Sequence, residues 1–171
     1  MMLSIELVPR EVAALVREAR AICERHGQFG WLNIPDIKAL PVRSHEAALA
    51  ASRLPLRVIL HVRARDRSPR ESVELLARLV EGGIRDALIV TGDRYDQAPG
   101  AEHATTLEVL RAARAEGLPI NLWAAFDPYR GELRAEFDYA RAKLDAGAVG
   151  LFTQPFFDVR LAEICLDQLA G

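Results

Sequence analysis

The chain has 171 residues and a mass of 18.9 kDa, and 50% of the residues are hydrophobic, enough for one domain spanning residues 1–171 with a substantial core. A net charge of −2 and a pI near 6.1 supply no basic field for nucleic acid or an anionic membrane. No run reaches the roughly 18 apolar residues of a membrane span, and the short apolar start at Met1–Val8 does not read as a signal peptide, so the expected compartment is the cytoplasm.

Taken in chain order, one phrase recurs. Leu3–Val8 is an apolar run of strand length, and Val12, Leu15, Val16, Ala19 and Ile22 then follow at helical spacing up to Gly27. Trp31–Ile34 and Val58–Val62 are the next two apolar runs. After them Ser68-Pro69-Arg70-Glu71 reads as an N-cap, a first-turn proline and a capping-box glutamate, opening a helix with Val73, Leu76, Ala77 and Val80 on one face. Ala87–Val90, Ile120–Phe126 and Ala148–Phe152 complete the set of six strands. Gly27, Gly82, Gly117 and Gly147 stand just after helical segments, where a left-handed residue is expected. Cys23 and Cys165 lie in helical patterns without metal-ligand spacing and are expected to be buried free thiols.

Polar residues recur at the strand ends: Glu6, Asn33, His61, Asp93, Asp127 and Gln154. Their spacing of 27 to 34 residues is that of one βα unit, so about six units account for the chain. Apolar strands alternating with amphipathic helices predict an α/β fold with a parallel sheet, either doubly wound or curled as a barrel. In both, ligands sit at the carboxyl ends of the strands. The first strand runs into Glu6-Leu7-Val8-Pro9 rather than a G-x-G-x-x-G turn, which argues against a dinucleotide fold of Rossmann type. P-loop, H-E-x-x-H and C-x-x-C patterns are also missing, leaving a metal site without support.

Each strand-end residue has two readings. Glu6, between Ile5 and Leu7, is either a carboxyl with a raised pKa suited to general acid work or the partner of an arginine at the sheet's mouth. Asp93 follows Gly92, which permits close approach of a ligand or of backbone, and it either accepts from a ring N–H or caps a turn. His61 is either a packed histidine or a site residue, and the Arg63, Asp66, Arg67 run after it reads as a solvated loop. Gln154 does not titrate, so with Thr153 beside it the pair suits recognition of an amide-like edge on a flat heterocycle.

Several stretches together resemble the methylenetetrahydrofolate reductases. "RAKLDAGAVGLFTQPFFD" is similar to that family's K-[VL]-D-A-G-A…T-Q-x-F-F-D segment, and "SIELVP" to its opening strand. "VILHV" with "RDRS", "IRDALIVTGD" and "NLWAAFDP" resemble its third, fourth and fifth strands, in the same order along the chain. The resemblance implies a TIM-barrel-type (β/α) fold, here incomplete with the last two of eight units absent, whose open edges call for a homo-oligomer or a partner chain. It implies reduction of methylenetetrahydrofolate to methyltetrahydrofolate through FAD with NAD(P)H as donor, or else a non-catalytic, partner-dependent relative that keeps the folate or flavin pocket. Glu6 would be the acid that opens the folate ring. Asp93 would serve the flavin edge and the pterin, and Gln154 with Thr153 would hold the substrate. His61, Gly92, Phe126 and Lys143 fall on flavin-contacting positions. The pattern departs in four places: Thr91 stands for the usual arginine before Gly92-Asp93, Arg130 for a histidine, "WLNIPDI" lacks a flavin-contacting threonine, and the usual asparagine and arginine flavin contacts are not evident between Gly131 and Lys143.

Overall fold

The computed structural model describes residues 3–93 and 104–169. Six strands form one parallel sheet in sequential order: β1 (Leu3–Glu6), β2 (Phe29–Ile34), β3 (Arg57–Arg63), β4 (Asp86–Val90), β5 (Asn121–Phe126) and β6 (Gly150–Thr153). Helices alternate with them: α1 (Val12–Arg25), α2 (Ser44–Ala51), α3 (Pro69–Glu81), α4 (Thr106–Ala115), α5 (Leu133–Asp145) and α6 (Val159–Leu169), with a 3₁₀ turn at Ala64–Asp66. The sheet curls into an open half-barrel, so the incomplete barrel expected from the sequence is the observed architecture.

Local chemistry explains the helix starts. Ser68 and Glu71 cap reciprocally: the Ser68 backbone N–H donates to Glu71 Oε2 at 2.8 Å, and the Glu71 N–H donates to Ser68 Oγ at 3.3 Å. Thr105 and Glu108 repeat the device at α4. The helix ends correct one expectation. Gly117 and Gly147 do adopt left-handed φ, but Gly82 has φ −76° and Gly83 makes the turn at φ 88°, while Gly27 is not left-handed. Gly82 is small for a different reason: a Cβ there would run into the Leu49 side chain of α2.

Strand alternation divides the sheet into two unlike faces. The outer face, with Leu32, Ile34, Leu60, Val62, Ala87, Ile89, Leu122 and Ala124, is sealed by Leu15, Ala47, Leu76, Leu79, Val109 and Leu110 of the helices. The inner face carries a ladder of aromatic rings, Trp31 against Trp123 and Trp123 against Phe152, both edge-to-face. Gly150 makes room for that ladder, because a Cβ there would meet the Trp123 ring. Asp86, fully buried at the start of β4, is a polar hub beside the rings. Its Oδ1 accepts from Arg57 Nη2 at 2.7 Å, Trp123 Nε1 at 3.0 Å and Asn121 Nδ2 at 3.1 Å, and the Arg57 guanidinium lies 4.2 Å from the Trp31 ring centre.

Removing that carboxylate strands three donors. Asp86→Ala is expected to lower unfolding free energy by about 3 kcal/mol, with the half-exposed Arg57 contributing the smaller part, as read by urea denaturation.

Candidate functional site

The site lies at the carboxyl ends of the strands, as a parallel sheet requires. A cleft of about 350 Å³ opens there. β3 supplies His61 and Arg63, two residues apart and therefore on the same face; the end of β4 supplies Thr91, Gly92 and Asp93; β5 is followed by Asp127 and Arg130; β6 is followed by Gln154. Asp36 closes the side next to β2, and Lys143 reaches in from α5.

Of the six polar strand-end residues, His61, Asp93, Asp127 and Gln154 line this one cleft. Glu6 and Asn33 do not. They stand level with Ile59, one inward-facing position below His61, and bond to each other, Asn33 Nδ2 donating to Glu6 Oε2 at 3.0 Å. Glu6 is exposed, and its apolar neighbours belong to the opposite face of the sheet, with Leu7 and Ile5 packed into the outer core. The apolar enclosure expected from "SIELVP" is therefore absent among the described residues. Thr153 and Gln154 are separated by the same alternation: Gln154 lines the cleft, with its N–H donating to the Phe126 carbonyl at 3.1 Å, whereas Thr153 is exposed and outside the lining. The Phe126 ring also stays away from the cleft, fully buried and stacked on Phe137 in a second core beneath α6.

His61 is largely enclosed. Its Nε2 is buried without a hydrogen-bond partner, and its carbonyl accepts from Ser44 Oγ at 2.6 Å. Burial pushes its pKa down to about 4, with the Asp36 charge acting in the opposite direction, so the imidazole is neutral at neutral pH. Lys143 is also buried. Its ammonium donates to the Ala125 carbonyl at 2.7 Å and to Glu136 Oε1 at 3.3 Å, over the Tyr139 ring. Burial lowers the Lys143 pKa and the Glu136 charge opposes the shift.

A chain of charges crosses the rim. Arg43 Nη2 donates to Asp36 at 2.8 Å and to Asp66 at 2.6 Å. Arg63 Nε donates to Asp66 at 3.2 Å, and Arg63 Nη1 and Nη2 reach the Asp93 carboxylate and backbone carbonyl at 3.4 and 3.2 Å. Burial alone would raise the Asp66 pKa, but its bonds to Arg43 and Arg63 hold it below the usual carboxylate range. Arg63 is 3% exposed, so the solvated loop expected for "RARDR" is instead part of the site wall. Counting alternate residues from His61 was the available signal, since Arg63 shares its face of β3. Gly92 has φ 84°, and it is the Arg63 guanidinium that lies against it, 3.0 Å from where a Cβ would stand.

Residues 39–164 match the methylenetetrahydrofolate reductase (MTHFR) family. The chain belongs to that family. A search of curated proteins gave no match. Among solved structures, an uncharacterized protein from Clostridium thermocellum that binds two copies of 5-methyl-5,6,7,8-tetrahydrofolic acid superposes with TM-score 0.72 at 15% identity, covering 98% of this chain and 59% of that one. A 2,3-dimethylmalate lyase of the PEP mutase/isocitrate lyase superfamily gives TM-score 0.73 at 16% identity, over 99% of this chain and 63% of that one. Oxaloacetate acetylhydrolase gives 0.70 at 16% identity, over 99% and 64%. The chain thus spans about three fifths of the structures it matches, and at these identities the likeness concerns the fold alone. Among the described residues, no helix is long and apolar enough to cross a membrane, and no group of His, Cys, Asp and Glu could hold a metal ion. Both Cys23 and Cys165 are free thiols, the first partly and the second fully buried.

The buried His61 of this MTHFR-family site has a consequence for stability. The unfolded histidine titrates near 6.5 and the folded one near 4, so the unfolded state binds the extra proton between these values. Stability present above pH 6.5 should fall, by up to roughly 3 kcal/mol, as the pH drops toward 4. His61→Gln should flatten this part of the profile, as measured by thermal melts across that window.

Proposed function

We propose that the chain binds a reduced folate in the strand-end cleft and reduces 5,10-methylenetetrahydrofolate to 5-methyltetrahydrofolate, with a bound flavin and NAD(P)H as the reductant. One observation carries this reading: Asp93 and Gln154, a carboxylate acceptor and an amide with both donors and an acceptor, face the same cleft of a MTHFR-family fold. That combination suits the donor–acceptor edge of a flat heterocycle such as a pterin. The folate-binding protein from Clostridium thermocellum, with a similar fold, supports the choice of ligand class.

A flavin ring suits the same donor set. His61 Nε2 and Asp36 Oδ1 are buried polar atoms without partners beside the cleft, and a bound heterocycle could satisfy them. His61, Asp93 and Lys143 would hold the ring. When bound, the flavin supplies hydride transfer between NAD(P)H and the folate methylene carbon. The remaining chemistry belongs to this chain's own residues. Asp93 and Gln154 orient the pterin edge. Glu6, on the same inner face and oriented by Asn33, would give a proton to the substrate nitrogen as its bond to the methylene carbon breaks, which requires the substrate to extend out of the cleft along the inner face toward β1.

A second reading, a folate-binding relative that does not turn over alone, is favoured by Arg63, which occupies the side of Gly92 where a ring could otherwise approach closely. Purified protein supplied with FAD, NADH and methylenetetrahydrofolate separates the two. Turnover that falls about 10²-fold or more in Glu6→Gln, with binding of 5-methyltetrahydrofolate retained, supports the reductase and the acid role of Glu6. Full activity in Glu6→Gln removes that role. Tight folate binding without turnover or flavin uptake selects the second reading.

A further inference from the structure

We infer that Arg63 is a positioning residue that sets the orientation of Asp93 in the cleft, and that Gly92 is a glycine in order to admit its guanidinium. This deepens the folate reading, on which the substrate side of the inference rests, but its structural side stands on contacts within the chain.

Arg63 bonds to one residue twice. Nη1 meets the Asp93 carboxylate at 3.4 Å and Nη2 meets the Asp93 carbonyl at 3.2 Å, so side chain and main chain are held together. The hold falls on an aspartate 76% exposed and preceded by left-handed Gly92, whose own carbonyl accepts from Arg65 Nη1 at 3.3 Å, so what Arg63 restrains is the Asp93 side chain and the carbonyl beyond it. The guanidinium is fixed in turn from its other side. Its Nε donates to both Asp66 oxygens at 3.2 Å, and Asp66 is held by Arg43, which also grips the buried Asp36. A plane clamped between Asp66 and Asp93 leaves no room at Gly92 for any side chain. Lysine cannot replace this arrangement, because one ammonium does not present a planar fork to two carboxylates on opposite sides.

The inward register of Arg63 also bears on the departure at Thr91. Thr91 stands at a position that the resemblance assigns to an arginine, and its Oγ1 instead bonds Thr106 Oγ1 at 3.2 Å, on the helix side of β4. Positive charge beside Gly92-Asp93 is delivered from the neighbouring strand. Arg63 therefore acts on ligand recognition through Asp93, whose carboxylate would meet the N–H edge of the heterocycle.

Two measurements test this on the whole chain. In ligand-free protein, the side-chain (¹³Cβ) order parameter of Asp93 should fall clearly in Arg63→Gln, with Arg63→Lys between the two. An unchanged order parameter in both variants overturns the inference. In titrations with 5-methyltetrahydrofolate, Arg63→Gln should weaken binding about tenfold, and should cost nothing further in an Asp93→Asn background. Losses that multiply in the double variant overturn the inference. If the unsubstituted protein does not bind the folate, the functional reading fails, while the order parameters still decide whether Arg63 positions Asp93. Arg63→Lys keeps the cation and serves both measurements if Arg63→Gln does not fold.

Discussion

Burying the Arg63 guanidinium is the constraint on which the rim is built. A cation 3% exposed is costly unless carboxylates surround it, and Asp66 and Asp93 do so from two sides. Asp66 is shared with Arg43, where burial would lower the guanidinium pKa but the bonds to Asp36 and Asp66 raise it overall. The loop after β2, the 3₁₀ turn after β3 and the end of β4 are thereby fixed as one unit. Removing any member leaves a neighbouring charge uncompensated, so the cleft wall keeps its shape or loses it as a whole.

The half-barrel separates its polar inventory by height. Asp86 and Arg57 sit toward the amino-terminal end of the inner face, against the Trp123 and Trp31 rings, and serve packing. His61, Arg63, Asp93 and Gln154 sit at the carboxyl-terminal end and face the cleft. The aromatic layer fills part of the inner face of an open sheet. Hydrophobic burial on the outer face is independent of both, since alternate residues point to the helices.

The strands and helices were legible because apolar runs, helical spacing and capping pairs such as Ser68 with Glu71 are local signals. The strand-end cleft was legible too, since parallel pairing places successive strand ends on one rim. What escaped were properties set by alternation and register. Thr153 and Gln154 are adjacent in sequence and sit on opposite sides of the strand end. Phe126 belongs to the α6 core. Glu6 and Asn33 sit one inward position deeper than His61. Arg63 looked like loop charge, because a run of arginines is usually solvated and its partners Asp66 and Asp93 are supplied by a turn and the next strand. Lys143 and Glu136, seven residues apart on α5, form a buried pair that helical spacing alone does not distinguish from two surface charges.

The most direct measurement is a ¹H–¹⁵N correlation titration of the whole chain with 5-methyltetrahydrofolate. Saturable shifts concentrated at His61, Gly92, Asp93 and Gln154, with Asp86 and Asn121 unmoved, are the expected result. No saturable shifts, or shifts centred away from the strand ends, would contradict folate recognition at this rim.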